Sequence, residues 1–219
     1  MEITKTNAKD LWMNAINTIE EKGRDFNDND NRVCREINNL TLTIKNVDEA
    51  KIDEPIKTMI NSKNWIYPTK EELSSIMFKE YSAPIYEYTY GGRIFNFNNE
   101  IDQINTFILP LLKKDPNTRR AILVFYNPKE DSKPENKNTP GIIYIQFRII
   151  NNKLNLTSHI RSNDLFFGWP ANLYQIYCLM QHITNRLEIQ NGNITTFSNS
   201  GHIFLDDIQN MKEILNEDL

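Results

Sequence analysis

The stretch "SHIRSNDLFFGWPANLYQ", residues 158–175, decides how the rest of the chain is read. It opens as the end of a strand over about 153–160 and passes through the polar run Arg161, Ser162, Asn163 and Asp164. Gly168 and Pro170 then force a shaped turn. A helix follows from about 172 to 187, "NLYQIYCLMQHITNRL", apolar on most of its faces. Such a helix has no wide solvent side and belongs in the middle of a domain, so a strand feeding into it predicts a sheet with a helix buried against it.

Working outward, a strand near 193–204 and a helix near 206–216 follow. Upstream, Asn151 and Asn152 turn a strand over 142–150 back into the one at 153–160. Its entry, "NTPGIIYIQF", residues 138–147, is led by proline, with Ile143, Ile145 and Phe147 on one face. "NPKEDSKPENKNTP", 127–140, reads as a solvated loop and "AILVFY", 121–126, as a buried strand. Glu100 to Lys114 is a helix with Ile101, Ile104, Phe107, Ile108, Leu111 and Leu112 on its stripe and a kink at Pro110. Near the N-terminus a helix over 7–22, capped by Asn7 or Asp10 and ended by Gly23, precedes a polar loop at 24–32 and an alternating strand at 39–46. Residues 52–92 mix short helices and turns. No repeat and no linker shows, so residues 1–219 are expected to form a single α+β domain.

The 219 residues can bury one large core. A net charge of −4 argues against nucleic acid as a partner, which needs a basic face. Cys34 and Cys178 have neither zinc nor disulfide spacing, and no metal is expected. No apolar run approaches a membrane span and no leader is read at the N-terminus, so no membrane and a cytoplasmic setting are expected.

Three groups could carry chemistry. In "DPNTRRAILVF", Arg119 and Arg120 are adjacent, so in extended chain one faces the core side, where it needs an anion; a pair on a surface turn is the alternative. Arg161 with Ser162 suits a phosphate dianion, a guanidinium fork beside a hydroxyl. Asn172 either caps the buried helix or uses its amide, donor and acceptor at once, on the edge of a pyrimidine. His202, in "SNSGHIF", is a strand histidine, structural or functional. His159 and His182 show no partner in the sequence, and Cys178 reads as inert packing.

In order, "DQI", "DPNTRRAILVFYNP", the Pro140-to-"QF" segment ending at Gln146 and Phe147, "RSNDLFFGWPANLY" and "SGHIF" resemble the thymidylate synthase family over about 101–204. "APIY", 83–86, resembles its "GPVY" segment, and the short chain resembles the compact archaeal form. The resemblance implies an α+β homodimer, built through back-to-back sheets, with shared active sites. Arg161 and Ser162 would hold a nucleotide 5′-phosphate, with Arg119 and Arg120 reaching it from the partner subunit. Asn172 would read a uracil edge, Asp164 would lie near a folate ring, and His202 would contact the sugar 3′-hydroxyl. Tyr86 would line the pocket, with Asn163 and Gln146 among the substrate-binding residues.

The chain departs from the family pattern at the start of the 142–150 strand. Where the resemblance places "P-C-H", with a cysteine that adds to C6 of the base, the chain reads Pro140, Gly141, Ile142. The family's glutamine before "RS" is Ile160, its second sugar-contacting tyrosine is Phe204, and "MKEILNEDL" does not match its closing C-terminal segment. Catalytic residues are therefore unassigned, with Tyr144 and Glu87 as weak substitutes for the nucleophile. Two functions compete: one-carbon transfer to C5 of a uracil nucleotide (dUMP or UMP) without the cysteine, using a reduced folate or related pterin donor; or an inactive nucleotide-binding pseudoenzyme acting as sensor or regulator.

Overall fold

The computed structural model describes residues 1–79 and 89–216. Strand β1 (Glu2–Lys5) leads to helix α1 (Ala8–Lys22), then β2 (Arg24–Asn27) and β3 (Val33–Ile44). Helices α2 (Glu49–Asn61), α3 (Lys70–Phe78) and α4 (Tyr90–Phe95) precede a wide turn over Ile104–Ile108 that continues as α5 (Leu109–Lys114). Strand β4 (Ile122–Val124), the short α6 (Pro128–Asp131), β5 (Ile142–Ile150) and β6 (Lys153–Asp164) follow, then α7 (Gly168–Leu187), β7 (Gln190–Phe204) and α8 (Ile208–Asn216).

The expected α+β architecture is present. The seven described strands form one mixed sheet in the order β1-β3-β7-β6-β5-β4, with β2 paired to β3. Strands β6 and β7 run parallel with α7 as their connection, and β5–β6 is a hairpin. Its turn is closed by Asn151 and Asn152 at φ 52 and 59, left-handed angles that asparagine tolerates because its amide can bond the local backbone. Along β6, Leu154, Leu156, Ser158 and Ile160 are buried while Asn155, Thr157, His159 and Arg161 are not. That period of two gives the sheet one core face and one open face.

The core face packs on α1 and α7. Leu11, Trp12, Ala15, Ile16 and Ile19 of α1, and Ile176, Leu179, Met180 and Ile183 of α7, are all buried. Asn7 is the cap of α1, accepting from the Asp10 amide at 3.0 Å. The Trp12 indole donates to the Leu165 carbonyl at 2.6 Å and stacks on Phe166, which fixes the turn between β6 and α7 against α1.

Several boundaries differ from expectation. The polar loop at 24–32 contains β2, because Arg24 and Asp25 pair with Glu36 and Arg35 across the hairpin, so charged side chains support the strand. Strand β3 starts at Val33 rather than near 39. The helix foreseen from Glu100 begins with a bridge between Phe97 and Ile101, and Leu109 N–H donates to the Ile104 carbonyl five residues back. The wide turn thereby ends just ahead of Pro110, which has no amide hydrogen and sits in the first turn of α5. Ile101 and Phe107, placed on the buried stripe, are 44% and 43% exposed. In β5 a bulge between Ile142 and Tyr144 resets the alternation, so Ile142, Ile145 and Phe147 are buried and Ile143 is not. The loop at 127–140 contains α6, held by Asp131, which accepts from the Asn127 amide at 2.7 Å and pairs with the buried Arg93 at 2.9 Å.

Candidate functional site

Strand β6 runs on through the polar quartet, so these four residues alternate in facing instead of following one another round a loop. Arg161 and Ser162 are exposed, Asn163 is buried and Asp164 is half-buried. The Arg161 guanidinium grips the chain ahead of β5: Nε donates to the Pro140 carbonyl at 3.0 Å and Nη2 to the Thr139 carbonyl at 2.8 Å. Its backbone amide donates to the Gly141 carbonyl at 2.9 Å. Gly141 is thus pinned beside the quartet.

A Cβ on Gly141 would lie 3.6 Å from the Tyr90 hydroxyl and 3.8 Å from the Ser162 carbonyl. The Tyr90 oxygen also accepts from the Ile142 amide at 3.4 Å, and its ring meets Phe125 edge-on at 5.1 Å. Tyr90 was not foreseen as a site residue. Tyr86, which was, and the alternative nucleophile Glu87 lie outside the described residues, as does "APIY". Tyr144 lies on the open face of the sheet, ring against His159 at 5.1 Å, across from the core-side groups of the site.

Helix α7 begins at Gly168, four residues before Asn172, which therefore sits in the second turn and is not the cap. Its Nδ2 donates to Asn163 Oδ1 at 3.4 Å, and Asn163 Nδ2 donates to Ser198 Oγ at 2.9 Å. Asp164 accepts from the Phe166 and Phe167 amides at 2.9 and 3.4 Å. Burial pushes its carboxyl up to about 6, against those two bonds. A carboxyl there is partly protonated near neutral pH and can move a proton.

His202 lies directly between Asp164 on β6 and Glu36 on β3. It is buried, its Nδ1 has no partner among the described residues, and burial holds its pKa below the usual histidine value. Phe204 stands edge-on to it at 5.2 Å, and the Arg32 guanidinium covers Phe204 at 3.4 Å while pairing with Asp207 at 3.7 Å. Arg32 was missed because one arginine in "NDNDNR" carries no local signal. Cys34 packs nearby with its thiol donating to the Arg32 carbonyl at 3.7 Å. Burial raises the Cys34 thiol, and that of the half-buried Cys178, so neither is poised as a thiolate.

A cavity of about 510 Å³ opens beside Arg161, between Asp28 and Asp30 of the β2–β3 loop and Glu135 and Lys137 of the loop ahead of β5. Lys137 closes it by pairing with Asp30 at 2.8 Å. Trp65 meets Phe166 and Phe167, whose amides Asp164 accepts from, edge-on at 5.5 and 5.3 Å, and the Tyr67 hydroxyl donates to the Phe167 carbonyl at 2.5 Å.

Arg119 and Arg120 do not join this group. Both are exposed, which corrects the expectation that one faces the core side, and neither has an ion pair among the described residues. Gln146 is also elsewhere: its Nε2 donates to the Arg119 carbonyl at 2.9 Å. His159, expected without a partner, bonds Asn199 Oδ1 at 2.6 Å, and His182 packs on Phe78 and Phe95. Among the described residues no cluster of His, Cys, Asp and Glu could hold a metal ion, and no helix is long and apolar enough to cross a membrane.

The chain is similar to known proteins over most of its length. The profile of the family described as thymidylate synthase matches residues 79–219. A protein named "putative thymidylate synthase" from Methanosarcina acetivorans is 32% identical over 202 residues, 92% of this chain and 88% of that one. Its namesake from Methanothermobacter marburgensis is 27% identical, covering 98% of this chain and 97% of the relative. The deoxyuridylate hydroxymethyltransferase of Bacillus phage SP01 is 26% identical over 229 residues, 90% of this chain and 57% of the phage protein.

Proposed function

The chain belongs to the thymidylate synthase family, and on that premise we propose that it binds a uracil nucleoside 5′-monophosphate, dUMP or UMP, for one-carbon transfer to C5 without a cysteine nucleophile. The relatives named "putative thymidylate synthase" and the phage hydroxymethyltransferase support C5 transfer as the reaction class. The observation that carries the reading is the end of β6, where Arg161 holds the chain just ahead of Gly141 while the next residues, Asn163 and Asp164, meet Asn172 and His202.

In this reading Arg161 and Ser162 bind the phosphate, and Arg119 and Arg120 complete its neutralisation from the partner subunit of a homodimer. Their exposure fits that role, since a guanidinium left in solvent costs nothing until the partner's anion arrives. Asn172 pairs with the base edge and His202 faces the sugar. The reduced folate or related pterin supplies the one-carbon unit when bound. The residues fit such a flat ring: Trp65, Tyr67 and Phe167 offer aromatic faces beside Asp164, whose carboxyl near 6 can both accept from and donate to a pterin edge. The Tyr90 hydroxyl stands next to the place a thiol on residue 141 would take, 3.6 Å from the Cβ position, and bonds the Ile142 amide there.

Gly141 itself favours a second reading, a binding protein that senses or sequesters the nucleotide. Losing covalent activation slows chemistry at C5 by orders of magnitude, while leaving the binding groups intact.

The test is thermal stability with UMP, dUMP, CMP, dCMP and TMP, each with and without a reduced folate. A ligand at about 100 times its Kd adds roughly 2.7 kcal/mol and raises Tm by a few degrees. A uracil nucleotide is expected to give that shift, a folate to add to it, and Arg161→Ala to abolish both. No shift with any nucleotide refutes the proposal; a nucleotide shift with no folate increment leaves the binding-only reading standing.

A further inference from the structure

Of the chain's three histidines, His202 lies at the site and His182 packs on Phe78 and Phe95, which leaves His159 without a role. It stands on β6 in the middle of the open face, between Tyr144 on β5 at 5.1 Å and Phe197 on β7 at 4.9 Å. We infer that His159 makes the pairing of two copies through this face depend on pH, the neutral ring permitting the pair and the protonated ring opposing it; this rests on the homodimer reading above.

Two observations point to a second copy as what covers the face. The three rings form a row across adjacent strands, one ring from each, which a second sheet would take out of water. Arg148, also on the open side of β5, has its Nε shut off from solvent with no partner among the described residues. Such a donor is a cost until an acceptor reaches it. The uncharged amides of Gln146 and Asn155 on the same face can supply one across a twofold axis, so the face can complement itself.

A proton on His159 upsets this pairing. Its Nε2 donates to Asn199 Oδ1 at 2.6 Å, so in the neutral ring the other nitrogen is a bare acceptor. Protonation makes that nitrogen a donor and puts a full charge on the ring. In a free subunit water serves both. Under a second sheet the water is gone, and the charged form needs a carboxylate. None faces it: the open side of β5 offers Tyr144 and Arg148, that of β7 Phe197 and Asn199, and its own strand Arg161 two residues on. The two charges among these are positive and add to the cost. Association therefore sheds the proton, and acid drives the pair apart, by up to about tenfold per pH unit for each histidine that must lose one. Histidine changes charge between pH 5 and 8, so the effect falls in the physiological range. If Arg119 and Arg120 reach the phosphate from the partner, acid removes them from it at the same time.

The test is the dimer dissociation constant from sedimentation equilibrium between pH 7.5 and 5.5, at fixed ionic strength and without nucleotide, with folding checked by circular dichroism at each pH. Subunit exchange, followed by energy transfer between labelled subunits, makes the same comparison for a dimer too tight to dissociate in the rotor. In the parent, Kd or the exchange rate is expected to rise about tenfold or more as pH falls across that range. His159→Phe, which keeps the row of rings, and His159→Gln, which keeps a donor for Asn199, should each hold it within about threefold. Asp164 and His202 remain in both variants, so any rise due to their titration persists there. No rise in the parent, or a rise that survives undiminished in either folded variant, overturns the switch. Folded monomers at pH 7.5 overturn the homodimer reading and the switch with it.

Discussion

At residue 141 the backbone is not in the left-handed region, and the nearest atoms to a built Cβ lie at ordinary contact distances, 3.6 and 3.8 Å. Gly141→Cys should therefore be accepted, with a stability change within about 1 kcal/mol. A thiolate there adds to C6 of a bound uracil and makes C5 nucleophilic toward a proton, so the variant should exchange the C5 hydrogen of dUMP with deuterium from solvent, seen as loss of the H5 resonance. The parent should exchange it far more slowly; exchange unaltered by the substitution would place the base away from Gly141. Asp164 carries a second residue-level prediction. Its folded pKa of about 6 lies above the ordinary 3.8, so between those values the folded state holds more proton than the unfolded, and this contribution to stability declines as pH rises through that window. Above pH 6 the ionised carboxylate is a standing cost. Asp164→Asn keeps an acceptor for the Phe166 amide and should raise stability at pH 7 by about 1–3 kcal/mol, with the gain vanishing below pH 4. Denaturant midpoints for both proteins across that pH range decide it, and an equal gain at both ends would sink the burial argument.

Tyr90 reaches Gly141 only because α4 starts hard against the end of α3. A Cβ on Gly91 would lie 2.1 Å from the Lys79 carbonyl oxygen, which is backbone and cannot swing aside. Gly91→Ala should push α4 off α3, destabilise the fold by roughly 1–3 kcal/mol and withdraw the Tyr90 hydroxyl, so nucleotide binding should weaken beyond what the loss of stability explains. Ligand titration well below Tm separates the two effects. The same element shows what local sequence leaves unsaid. Helices α1 and α7, the β5–β6 hairpin and β7 were legible because their periodicity or turn chemistry is local: the stripe from Leu11 to Ile19, the Asn151–Asn152 pair, the alternation up to Phe204. The polar quartet, Asn172 and His202 were legible as candidates for the same reason. Strand β2, the wide turn at Ile104–Ile108 and the β5 bulge were not, since each depends on what lies across from it: Glu36, the approach to Pro110, the register against Ile160. Tyr90 and Arg32 reach the site from partners 52 and 172 residues away in sequence, at Ile142 and Phe204, and no window along the chain contains both ends.

The open face of the sheet bears on the whole molecule. Tyr144, His159 and Phe197 stack across β5, β6 and β7 at 5.1 and 4.9 Å, flanked by Thr41, Thr43, Thr157 and Thr195, while Ile122 and Val124 on the edge strand are 38% and 36% exposed. A sheet face with aromatic and β-branched residues in a row across three strands is suited to a second sheet, and a twofold pairing would present the exposed Arg119 and Arg120 of one subunit to the other. Two consequences follow if the sites are shared in this way. Phe197→Asp should give monomers in sedimentation and lose nucleotide binding together with dimerisation, although Phe197 lies far along β7 from His202. Arg119→Ala and Arg161→Ala homodimers should each bind poorly, yet subunits exchanged between them should recover about a quarter of the sites, because half the dimers become mixed and each mixed dimer carries one site with both arginines intact. Recovery of none of the sites would mean that both arginines serve the phosphate site of their own subunit, and full binding by the Arg119→Ala homodimer would make Arg119 a surface residue held only through its carbonyl by Gln146.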